Sequence, residues 1–79
     1  MSKYYITFGQ KYRTEPHPIL GICCADGYVV VKAEDMKQAR DFVFTTFGTA
    51  WSNIYAENYD FAMPINELFP MGEIGFLPA

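Results

Sequence analysis

Cysteine is nearly absent from this chain, and the little there is excludes a disulfide scaffold. Only Cys23 and Cys24 are present, and they are adjacent. Neighbouring cysteines cannot staple distant parts of a fold, and their only mutual bond closes a small strained ring. They read as small side chains near the core, reduced in a cytosol. There is no Cys-x-x-Cys, and His17 is the single histidine, so the ligand spacings of zinc sites are missing and no metal is expected. Basic residues are few as well: six Lys and Arg stand against nine acids, for a net charge of −3. Nucleic-acid binders present a basic face that displaces counterions from phosphates, so no nucleic-acid partner is expected. Apolar runs are short, and none approaches the ~20 residues that cross a bilayer, so no membrane partner is expected. The opening MSKYYITF breaks its apolar stretch at Thr7 and Gly9, unlike a signal peptide, which points to the cytosol. The glycines are scattered and form neither a Walker loop nor G-x-G-x-x-G, and no cofactor is expected.

What the chain does have is aromatic mass. Phe, Tyr and Trp make up 18% of its 79 residues, and half of the chain is hydrophobic. That excludes a disordered chain, which cannot offset its ordering entropy. The length sets one domain, residues 1–79, with a small core. Each buried aromatic ring partly compensates by removing ~150–250 Å² from water.

The pattern reads as a compact α+β domain with β-β-α-β order. Residues 3–12 alternate as a first strand, with Tyr4, Ile6, Phe8 and Tyr12 on one face and Tyr5 and Thr7 on the other. Gly9 within it suggests a bulge or a close backbone approach. Pro16 and Pro18 break residues 13–27 into an irregular excursion, closed by the Asp26-Gly27 turn. Residues 28–33 are a β-branched second strand. Asp35 and Gln38 form a capping-box pattern, followed by Met36, Ala39, Val43 and Phe47 at helical spacing, and Gly48 is placed to end the helix. Residues 50–56 form a third strand. The first strand, apolar on both faces, belongs between the other two and antiparallel to both. The expected sheet is thus three-stranded and mainly antiparallel, with one helix on one face. Residues 57–79 show no period and read as an irregular aromatic-rich tail, with a single helical turn near residues 65–68. Its apolar residues, Met63 among them, must pack on the open sheet face or on another copy, so a homo-oligomer is expected.

The densest polar chemistry follows the first strand, where Gln10, Lys11, Tyr12, Arg13, Glu15 and His17 run together. Lys11 and Arg13, two apart on one strand face, read as an anion clamp. Thr7 and Gln10 supply neutral hydrogen bonds, and Tyr5, Tyr12, Trp51 or Tyr55 a surface for a ring to stack on. The expected ligand-binding set is Thr7, Gln10, Lys11, Tyr12, Arg13, His17, Trp51 and Tyr55. The plainer reading of the same residues pairs Arg13 with Glu15 or Asp26 at the surface, and leaves His17 as a loop residue bonded to backbone. A third reading is enzymatic, with His17 beside Cys23 or Cys24 and oriented by Glu15. No catalytic residue is assigned.

The segments YITFGQKYR, EPHP, GYVVV, ARDFVFTTFG, Trp51 with Tyr55, and FPMGEI, in that order, cover most of the chain. They resemble a group of small uncharacterised proteins of actinobacterial phages and prophages, the opening ITFGQKY and its following HP being the specific part. The resemblance implies a protein made in a bacterial host's cytoplasm, of a size class that often counters host defences. The leading expectation is therefore a binding protein that sequesters a small anionic signal, such as a cyclic nucleotide. The alternative is direct blockade of a host defence protein.

Overall fold

The computed structural model describes residues 2–59, 61 and 64–78. Strand β1 (Ser2–Thr7) lies between β2 (Gly27–Ala33) and β3 (Asn53–Ala56), antiparallel to both. The sheet has four strands rather than three, in the order β3-β1-β2-β4. The extra strand, β4 (Gly72–Pro78), comes from the tail that reads as irregular, and it pairs parallel to β2. Gly75 and Pro78 depress its strand signal. An edge tolerates both, because its outer donors need no ladder partner. Met63 lies outside the described residues.

The first strand also ends sooner than its alternation suggests. After Thr7 the chain turns into a 3-10 helix, Gln10–Arg13, closed by the Tyr12 N–H donating to Gly9 C=O at 3.0 Å. Phe8 and Tyr12 still reach the same core, but through a turn rather than a pleat. Gly9 serves no close approach, since a Cβ there would meet open space. The third strand likewise starts later than expected: residues 48–49 form a turn, 50–52 are irregular, and β3 begins at Asn53.

Helix α1 (Met36–Phe47) forms where its caps and period place it. The Asp35 carboxylate accepts from the Gln38 N–H at 2.8 Å, and the Gln38 side chain returns to accept from the Glu34 N–H at 2.6 Å. The return lands one residue before the cap, a variant of the capping box. Gly48 stops the helix at φ 61°, a region costly for residues with a Cβ.

One sheet face carries Tyr4, Ile6, Val29, Val31 and Ala33, buried against Ala39, Val43 and Phe47 of α1. The other face carries Tyr5, Thr7, Tyr28 and Val30. The tail packs there through Phe61, 6.4 Å from the Tyr5 ring, and Phe69, 6.1 Å from Tyr28. Thr7, Tyr28 and Val30 on this face are buried. The chain thus covers much of both faces of its own sheet.

Candidate functional site

His17 is the most constrained polar residue and is only 1% exposed. Its Nδ1 accepts from the backbone N–H groups of Ile19 and Leu20, both at 3.1 Å. Two donors on Nδ1 leave Nε2 to carry the proton, which it donates to Ala50 C=O at 2.7 Å. Phe8, Tyr12 and Phe47 pack around the ring at 4.8–5.6 Å between centroids. Both nitrogens are therefore committed to backbone, and the ring serves as a loop anchor. Neither nitrogen is free to activate a thiol. Cys24 is buried, and burial pushes its thiol above the ordinary range, the reverse of an activated nucleophile.

The cationic pair does not share a face. Lys11 and Arg13 sit on a 3-10 turn, where residues two apart diverge. The Arg13 guanidinium grips Asp26 with both terminal nitrogens at 3.1 Å, and its Nε donates to Gln10 Oε1 at 3.1 Å. The plainer sequence reading, Arg13 paired with Asp26, describes that contact. Lys11 is exposed beside the Tyr12 ring. Thr7 is buried, with its hydroxyl turned to the Asn53 C=O at 3.5 Å, and Tyr12 lies in the core. Tyr55 stacks with Tyr59 and Phe61 on the face away from α1. The eight expected residues are thus dispersed over the core, a surface clasp and two sides of the sheet.

Of that set, Trp51 lines a groove. Arg40, Phe44, Trp51, Ser52, Asn53 and Ile54 line an open groove of about 340 Å³ between α1 and the start of β3. The volume falls at the small end of the range for ligand sites. Its parts follow from local structure. Arg40 and Phe44 are one helical turn apart on α1, so they stand as neighbours. Gly48 turns the chain back, and its C=O accepts from the Trp51 indole N–H at 3.0 Å, fixing that ring. Phe44 then meets Trp51 edge-on, with centroids 5.3 Å apart. Phe44 remains 49% exposed, a large apolar side chain left open at the groove. Asn53 and Ser52, hydrogen-bonded to each other at 3.2 Å, supply the polar wall.

Electrostatically the groove is defined by Arg40. Among the described residues it has no hydrogen bond and no ion pair, whereas its helix neighbour Lys37 is held by Asp41 at 3.0 Å. That carboxylate also raises the Lys37 pKa, chiefly through the hydrogen bond. An unpaired guanidinium beside two aromatic rings and an amide can hold an anion while a planar group rests on the rings.

Arg40 is not in the ligand-binding set expected from the sequence. The signal that finds it is the pairing of Arg40 with Phe44 at helical spacing, followed by Trp51 just past the Gly48 stop. No helix among the described residues is long and apolar enough to cross a membrane. Compared with protein-family models, with curated proteins and with solved structures, the chain matches none.

Proposed function

We propose that this chain is a non-catalytic binding protein that captures a small anionic, ring-bearing ligand of the nucleotide type in the groove between α1 and β3. The observation that carries the reading is Arg40, without an ion pair among the described residues, at a groove lined by Trp51 and Phe44. Arg40 holds the anionic group, the rings receive the base, and Asn53 reads its polar edge. With the resemblance to small phage proteins, this makes the chain a sequestering agent for a signal of the infected host, working in the bacterial cytoplasm. Calorimetry against a panel of linear and cyclic nucleotides tests it. Wild type should bind one of them more tightly than millimolar, where binding is worth only ~4 kcal/mol. Arg40→Ala should lose that affinity, and Arg40→Lys should recover only part of it, because ammonium lacks the planar fork.

A second reading rests on the His17 loop. His17 is hydrogen-bonded to residues 19–22 of its loop, yet the loop leaves Ile19 54% and Ile22 43% exposed. A pre-ordered loop that presents two isoleucines suits insertion into an apolar cleft of a host protein. If no nucleotide binds, this blocking role takes precedence.

A further inference from the structure

We propose that β4 is the docking edge for a second copy of this chain, pairing antiparallel with the partner's β4 about a twofold axis at Phe76. Among the described residues β4 pairs on one side only, with β2, which makes its other side an edge of the sheet. Natural edges are blunted by lysine, proline, bulges or shortness. Here the edge proline, Pro78, closes the strand two positions past Phe76, and the ladder irregularity lies before Phe76, between Tyr28 and Val29 of β2. β4 is seven residues long, and residues 64–78 contain no Lys or Arg. Phe76, in the middle of this edge, is 47% exposed, as is Met71 just before the strand.

The occupant follows from the pattern of the strand itself. Centred on Phe76, an antiparallel pair sets the two Phe76 rings directly opposite, with Cβ atoms about 5 Å apart. Each ring then covers the exposed side of the other. The same register puts Leu77 opposite the partner's Gly75, on the face shared with α1. The space left by a missing side chain meets a large one, twice over by symmetry. Packing within the chain does not demand glycine at position 75: a Cβ there would sit 3.6 Å from Val29, an ordinary contact, at an unstrained φ. The charges also fit. Glu73 and the partner's Glu73 fall six strand positions apart, about 20 Å, which exceeds the ~8 Å screening length at physiological salt. The opposite edge, β3, is only four residues long and offers a shorter template.

Sedimentation equilibrium of wild type across the micromolar range should give twice the 9.0 kDa chain mass. A mixture of isotope-labelled and unlabelled chains should show intermolecular NOEs from Phe76 to Phe76 and from Leu77 to Gly75. Phe76→Lys sets two charges face to face and should weaken association at least about tenfold. A monomer at all concentrations would overturn the proposal. So would a dimer whose intermolecular NOEs fall on β3, on the Arg40 groove or elsewhere than β4. Should Phe76→Lys not fold, the labelled wild-type mixture decides alone. A folded Phe76→Lys chain with unchanged association also counts against it.

Discussion

The His17 ring stands 2.7 Å from the Ala50 carbonyl and thereby ties the proline-flanked loop to the turn that leads into β3. Three backbone groups depend on this one side chain, inside an aromatic shell. His17→Ala removes all three partners and leaves a void, so a loss of about 3 kcal/mol or more is expected. His17→Gln keeps an amide donor and acceptor and should cost less. Urea unfolding of both variants checks the order. An unaltered midpoint for His17→Ala would show that the loop is not held through this ring.

Arg13 and Arg40 are expected to separate cleanly. Arg13 spends its guanidinium on an exposed pair with Asp26, whose side chain is 37% exposed, so Arg13→Ala should cost at most about 1 kcal/mol of stability. It should leave ligand affinity intact. Calorimetry and thermal melts on Arg13→Ala and Arg40→Ala side by side make the comparison. A large affinity loss in Arg13→Ala alone would return the site to the loop after β1.

The helix offers a calibrated pair. Asp35→Ala removes the cap that Gln38 donates to and should cost ~0.5–2 kcal/mol. Val43→Ala deletes methyls from a fully buried position and should cost about 2 kcal/mol or more, because a cavity adds to the lost transfer energy. If chemical denaturation finds the two losses equal and negligible, the packing of α1 on β2 is misjudged.

The two thiols should behave differently. Cys23 is exposed and should react with a thiol reagent in the native state, while Cys24 is buried and should wait for unfolding. Burial raises the Cys24 pKa above 9.0, and burial, with Glu73 and Tyr5 adding to it, raises that of Tyr28 above 10.0. The unfolded chain ionises these groups first. It therefore binds fewer protons than the folded chain above about pH 9, and stability should fall as pH rises from there towards the raised values. Thermal melts between pH 8 and pH 11 follow this. A rising melting temperature over that interval would contradict the assignment.

Legibility varied with the kind of signal. Alternation and caps are local, so β2, α1 and the central place of β1 could be read from residues. β4 could not, because its pairing with β2 is set by tertiary contact while Gly75 and Pro78 argue locally against a strand. The proposed clamp depended on one assumption, that the pleat runs on through Arg13. The turn at Gly9 ends it and sends Tyr12 into the core, which separates Lys11 from Arg13. Trp51 was legible as an exposed-capable ring. Arg40 was not, because a charge on a helix reads as solvated until the turn at Gly48 brings Trp51 and Asn53 beside it.

If ligand enters the groove between α1 and β3, a nitrogen-15 NMR titration with adenosine monophosphate and a cyclic dinucleotide will report it there. The indole N–H of Trp51 is held by Gly48 and reports on that wall. Saturable shifts are expected at the Trp51 indole, Arg40, Phe44 and Asn53, with Lys11 and Arg13 unmoved. Shifts confined to residues 10–17, or no saturable shift at millimolar nucleotide, would contradict binding in the groove.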